Sequence, residues 1–214
     1  MDKKEKMQIV IKFLRKKYGE DVKEILKMKT NVFKLLIITI LSQRTRDENT
    51  RKAAENLFSK VSKPEEILLL SDKELQKLIK PSGMYKQKAK NIKKLCKILV
   101  EELKGKIPRK REDLLKLPGV GNKTADVVLC YGYGIPTIPI DTHCNRVPKR
   151  LGLVPQNAKL EEVKKLLEKI VPEKNRIIVN IGFVKFGKNI CRPIKPYCHI
   201  CHFKKFCNYY KCHT

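Results

Sequence analysis

A chain of 214 residues with 49 Lys and Arg against 22 Asp and Glu, a formal net charge of +27, is long enough for a substantial core or two closely packed lobes. So one-sided an excess points to a polyanionic partner, because balanced ion-pair networks would carry more carboxylates; a lysine-rich surface also serves solubility or life at high temperature. The polar start Met1-Asp-Lys-Lys-Glu-Lys6 is no secretory signal and the apolar stretch around Leu35 to Leu41 is too short to span a bilayer, so a soluble intracellular protein is expected, in which eight cysteines argue for metal over disulfides.

In chain order, Met7, Ile9, Val10, Ile11, Phe13 and Leu14 lie among lysines and predict a surface helix over about 4–18. Asn31 is placed to cap a helix from Val32 to about Leu41, apolar almost all round and therefore central. Ser42-Gln-Arg-Thr-Arg-Asp47 then emerges as a polar corner before a helix over about 49–58. Pro64 opens another, and Ser71-Asp-Lys-Glu74 has capping-box spacing for a helix to about Lys80. Pro81-Ser-Gly83 breaks it, and a long helix follows over about 86–104 with Ile92, Leu95, Ile98, Leu99 and Leu103 inward.

Leu114, Leu115 and Leu117 close a short helical run, Pro118 to Gly121 must turn tightly, and an apolar-periodic helix opens at Asn122. This is a helix, a glycine hairpin and a second helix. Gly119 and Gly121, with Val120 between them, allow positive φ and close approach to a partner, and the free N–H groups at the start of the second helix favour an anion such as a nucleic-acid phosphate. Gly132, Gly134, Pro136 and Pro139 punctuate a loop that delivers Asp141 to the start of a further helix, where Asp141 or Thr142 can cap. Helices over about 160–170 and 174–188 lead into the cysteines. Nothing alternates as a strand should, and no repeat or Gly/Ser-rich linker interrupts the chain, so the fold class is all-α.

The phrases Gly83-Met-Tyr-Lys-Gln-Lys-Ala-Lys-Asn-Ile92, Leu117-Pro-Gly-Val-Gly-Asn-Lys-Thr-Ala125, Ile140-Asp-Thr-His143 and a terminal Cys-x6-Cys-x2-Cys-x5-Cys come in one order, after the corner at Ser42. In this the chain resembles the endonuclease III family, the iron-sulfur DNA glycosylases of the helix-hairpin-helix superfamily. The resemblance implies two helical lobes around a DNA-binding groove: lobe A of about 1–28 plus 135–214, with the cluster loop at 191–207, and lobe B of about 29–134, with the hairpin at 113–130. It implies a monomer acting on duplex DNA that carries a damaged base or an abasic site, without the additional C-terminal domain of adenine-specific relatives.

The chemistry falls on Lys123 and Asp141. A damaged base must be rotated out of the stack before its glycosidic carbon can be reached. A neutral lysine amine can attack that carbon, form a Schiff base with the opened sugar and promote β-elimination of the 3′ phosphate. A free lysine titrates near ~10.4 and needs desolvation or neighbouring positive potential to act so. Lys123 lies in the first turn of a largely apolar helix, where the dipole disfavours added positive charge. Asp141 can stabilise the cationic sugar and steer protons to and from Lys123. Taken singly, Lys123 also reads as a phosphate-binding lysine and Asp141 as a plain N-cap. Relatives that only remove mismatched bases replace this lysine, so the resemblance implies a bifunctional glycosylase and lyase.

By the same resemblance the corner after Ser42 carries the side chain that fills the gap left by the extruded nucleotide. An ungapped alignment puts Arg44 there, with the family's glutamine type one residue earlier at Gln43; both also read as a solvated loop. Met84 stands at the family's apolar wedge, and a methionine also fills core gaps. Cys191, Cys198, Cys201 and Cys207 match the ligand spacing of a [4Fe-4S] cluster, with zinc as the alternative and His199 and His202 as substitute ligands. Arg192 and Lys195 within that loop are offered to the DNA backbone, while Cys96, Cys130, Cys144 and Cys212 have no ligand spacing. The expected activity is base-excision repair of oxidised pyrimidines followed by cleavage at the abasic site. A uracil, thymine-mismatch or oxidised-guanine glycosylase, and a non-catalytic iron-sulfur DNA-binding protein, are the other readings.

Overall fold

The computed structural model describes residues 1–27 and 31–213, and among these every regular element is helical. The helices are α1 (Lys3–Lys27), α2 (Val32–Leu41), α3 (Asp47–Phe58), α4 (Pro64–Leu69), α5 (Asp72–Ile79), α6 (Tyr85–Glu101), α7 (Arg111–Leu115), α8 (Asn122–Val127), α9 (Thr142–Arg150), α10 (Leu160–Ile170), α11 (Arg176–Asn189) and α12 (Asn208–His213). No helix among the described residues is long and apolar enough to cross a membrane. The chain divides into two compact units, one of Met1–Lys29 with Ile135–Thr214 and one of Thr30–Gly134. The lobe boundary expected at residues 28 and 29 lies outside the described residues.

The middle unit is built around α2. Phe33, Leu36, Ile37, Ile40 and Leu41 are buried, and each such side chain contributes about 1.5–3 kcal/mol. The Asn31 side chain accepts from the Lys34 N–H at 3.0 Å and so starts the helix where its sequence predicts. α3, α6 and α8 pack on α2, and α4 and α5 pack on α6. The Ser71 box forms in full, Ser71 N–H donating to Glu74 at 2.8 Å and Glu74 N–H to Ser71 at 3.2 Å. α6 stops short of the expected Lys104, because Lys104 and Gly105 turn left-handed and the Gly105 N–H returns to the Leu99 carbonyl at 2.7 Å. Ile98 and Leu103 are half-buried.

The terminal unit packs α1 and α9 on α11, α10 on α1 and α12 on α9. α1 runs well past the expected Tyr18, because Tyr18 and Val22 extend its buried stripe beyond Gly19. α11 starts at Arg176, two residues later than expected, after a 3-10 turn over Glu173–Asn175. Phe13, Phe186 and Phe203 form an aromatic cluster with ring centroids 4.9 Å (Phe13 to Phe203) and 5.1 Å (Phe186 to Phe203) apart, which fastens the C-terminal segment to α1 and α11.

Candidate active site and cluster loop

In the middle unit, α7 and α8 flank the turn Leu117–Gly121, closed by the Val120 N–H on the Leu117 carbonyl at 3.1 Å. Gly119 has φ +81°, which favours glycine, and a Cβ there would also crowd Asn91 Cβ on α6 at 3.1 Å. Gly121 differs from expectation: at φ −100° and ψ 179° it is extended backbone that any residue adopts, and what its lack of a side chain leaves is open space. Val120 between them is buried. The hairpin has a brace that sequence reasoning missed, an ion pair between Arg111 Nε and the buried Asp126 carboxylate at 3.0 Å, tying α7 to α8.

Lys123 is exposed in the first turn of α8, a helix with no side-chain cap. Beside it, Gln43 donates to the Gly119 carbonyl at 2.8 Å and to Thr124 Oγ1 at 3.3 Å, so the corner after α2 is tied to the hairpin. Arg44 is exposed at the apex of that corner with φ 53°. Met84 is also left-handed, φ 47°, and 56% exposed, which removes its alternative as a core filler. The middle unit thus brings Gln43, Gly119 and Lys123 together through the hairpin and holds Arg44 and Met84 outward on neighbouring turns.

In the terminal unit, Asp141 is half-buried and caps α9, its Oδ1 accepting the N–H groups of His143 at 2.9 Å and Cys144 at 2.7 Å. The buried Cys144 thiol beside it is raised well above its ordinary range by burial and by the Asp141 carboxylate. Asn180 Nδ2 donates to the Pro139 carbonyl at 2.7 Å and sets the approach to Asp141. Gly187 lets α11 lie close to α9, since a Cβ there would stand 2.6 Å from His143 Nδ1. The plain N-cap reading of Asp141 is therefore realised in the geometry, through Oδ1.

Cys191, Cys198, Cys201 and Cys207 line one small cavity of about 20 Å³ with Arg150, Phe186, Tyr197 and Tyr209. Burial pushes the Cys201 thiol up to about 11 and raises those of Cys198 and Cys207. Arg150 is buried, donates to Cys191 Sγ at 3.6 Å and to the carbonyls of Arg192 at 2.6 Å and Pro193 at 2.8 Å, and lies 4.0 Å over the Tyr209 ring. Arg146 donates to the Cys191 carbonyl at 3.0 Å and the Gly187 carbonyl at 3.0 Å. Neither arginine was singled out from sequence; their i, i+4 spacing on the helix after Asp141 was the available signal. His202 stacks on Phe13 at 4.9 Å and His199 meets Tyr197 edge-on, and neither lines the cysteine cavity. Among the described residues no three His, Cys, Asp or Glu side chains converge tightly enough for a single metal ion. Arg192 donates to Tyr197 Oη at 2.7 Å and covers its ring, and Lys195 is exposed at a left-handed turn.

The family profile described as HhH-GPD superfamily base excision DNA repair protein matches residues 37–173. Endonuclease III of Thermotoga maritima is 45% identical over 182 residues, 85% of this chain and 85% of that protein. A solved structure of a trapped endonuclease III–DNA covalent intermediate, an estranged-adenine complex, superposes with TM-score 0.90 at 34% identity over 100% of this chain and 99% of that one. A thermostable thymine-DNA glycosylase superposes with TM-score 0.87 at 28% identity over 97% of each chain.

Proposed function

This chain belongs to the endonuclease III family of the HhH-GPD superfamily, base-excision repair glycosylases with lyase activity on duplex DNA, and on that premise we propose that Lys123 is its nucleophile and oxidised pyrimidines its substrates. The observation that carries this is Lys123 itself, exposed in the first turn of α8 next to the open edge at Gly121, where a strand laid on the hairpin covers it. Lys123 Nζ attacks C1′ with its lone pair, and the base leaves with the glycosidic electrons and takes up a proton. The nitrogen loses a proton, the sugar ring opens to the iminium, and removal of a C2′ proton expels the 3′ phosphate. A relative trapped covalently on DNA supports a covalent course. Asp141 offers Oδ2 to the cationic sugar while Oδ1 holds the helix start.

Gln43 is engaged by the hairpin and Arg44 points outward, which favours Arg44 as the side chain that fills the gap and Met84 as the wedge. Gly119, Val120 and Gly121 present backbone to phosphate, and Lys195 contacts the DNA backbone; Arg192, occupied by Tyr197, contributes its remaining donors. The four cysteines have the ligand spacing of a [4Fe-4S] cluster and ring a shared cavity, which supports them as its holders. Bound there, the cluster supplies a cross-link, and the Arg150 cation offsets its thiolates.

Borohydride trapping on a duplex with one thymine glycol, beside an abasic duplex and a G·T mismatch duplex, tests the reading. An adduct on the first two that is lost in Lys123→Ala is the expected result. An adduct on the abasic duplex alone keeps the lyase and reopens the choice of base. The similarity to a thymine-DNA glycosylase favours the mismatch as second reading, and base loss from G·T without an adduct establishes it.

A further inference from the structure

Lys88 lies on the buried face of α6, one turn before Ile92, and is only 4% exposed. Its ammonium donates to the Leu41 carbonyl at 2.7 Å, to the Ser82 carbonyl at 2.8 Å and to Thr45 Oγ1 at 2.8 Å. An ammonium has three protons, so these three acceptors use it fully. They come from two separate segments. Leu41 ends α2 and Thr45 stands in the polar corner, whereas Ser82 ends the 3-10 turn that precedes α6.

Each segment carries a strained residue next to its contact with Lys88. Arg44 has φ 53° and Met84 φ 47°, a region costly for side chains other than glycine and kept only where the surroundings over-determine it. Thr45 Oγ1 has a single proton to share between the Ser82 carbonyl and the Gln43 carbonyl, the latter at 3.0 Å, and the Gln43 side chain donates onward to the Gly119 carbonyl. A connected polar network thus runs from the turn at Met84 through the corner at Arg44 to the hairpin, with Lys88 at its buried node. A buried ammonium with only neutral partners is a costly way to fill space, and an apolar side chain would serve mere packing better.

We propose that Lys88 is a positioning residue for base extrusion, locking the Arg44 corner and the Met84 turn into one unit that enters the base stack together. This rests on the reading of Arg44 and Met84 as the inserting side chains. The lock spares the enzyme from ordering two separate loops when DNA binds. It acts on the step in which a stacked base leaves the duplex and has little to do at a site that has no base.

The test compares Lys88→Met with the wild-type chain in single-turnover excision from a thymine glycol duplex, in cleavage of a preformed abasic duplex, and in the fluorescence of 2-aminopurine placed opposite the lesion. Excision slows by about 10- to 100-fold and the fluorescence change is lost, while abasic cleavage falls by no more than about threefold. Proportional loss of both activities, or unchanged excision, overturns the proposal. If Lys88→Met does not fold, Thr45→Val removes one arm of the network and is scored in the same way, with a loss of about three- to tenfold. Arg44→Ala and Met84→Ala separate the two ideas. If neither changes excision or fluorescence, the inserting roles fail and the positioning role falls with them. If both do and the network variants do not, only Lys88 is overturned.

Discussion

The hairpin and the cysteine loop are held by different means. The hairpin is held largely by its own segment: Leu114, Leu117 and Val120 are buried, backbone bonds close the turn, and the Arg111–Asp126 pair spans only 15 residues, with Gln43 adding one bond from the corner after α2. The loop over 191–207 leaves Ile194 81% and Ile200 61% exposed and is anchored from outside, by Arg146 and Arg150 on its carbonyls and by Phe203 in the aromatic cluster. A segment with so much exposed apolar surface gains from a cross-link, which is the role proposed for the cluster, whereas none is proposed for the hairpin that carries the proposed nucleophile.

The largest effect is expected in the loop. Cys201→Ser lowers bound iron and acid-labile sulfide and drops Tm by on the order of 10 °C or more, because one ligand is lost from a cross-link on which the loop depends. Retained iron, or zinc in its place, would break the contrast. Next, Asp126→Ala strips a buried carboxylate and its ion pair from the hairpin, costing about 3 kcal/mol in urea unfolding. A cost under about 1 kcal/mol would show that the hairpin does not rest on this pair.

A smaller effect, and one with a definite sign, concerns Lys88. Burial pushes its ammonium down to about 8 from the ordinary 10.5. Between those two values the unfolded chain holds the proton and the folded chain does not, so stability rises with pH across the window and the penalty is fully present below about pH 8. The difference in unfolding free energy between wild type and Lys88→Met should therefore move in favour of wild type from pH 8 to 10.5, and a flat difference refutes the shift. Least of all, Lys123→Ala should alter stability by no more than about 0.5 kcal/mol while abolishing strand cleavage, since its side chain is exposed. A larger loss would make Lys123 part of the hairpin's own support.

Local patterns foretold the elements that depend on local physics. Asn31, the Ser71 box and Pro64 start helices where they stand, and Leu117 to Gly121 turns where expected, with Gly119 alone in the left-handed region. Helix ends were missed where a stop depends on the next residues unwinding, as at Lys104 and Gly105, or where burial carries a helix on, as at Gly19. Lys88 extends the stripe of Ile92, Leu95 and Leu99 back by one turn, so its burial was legible and its partners were not.

By itself the sequence determined the helical class, the hairpin, the cysteine spacing and the family phrases, because caps, periods and spacings act over a few residues. Only the tertiary structure decided that Gln43 is spent on Gly119 while Arg44 is free to project, that Met84 stands out of the core, and that one buried ammonium joins Leu41, Thr45 and Ser82. The bonds from Gln43 to Gly119 and from Lys88 to Leu41 and Thr45 join residues some 40 to 80 positions apart, and they exist only after packing has excluded water and fixed the geometry.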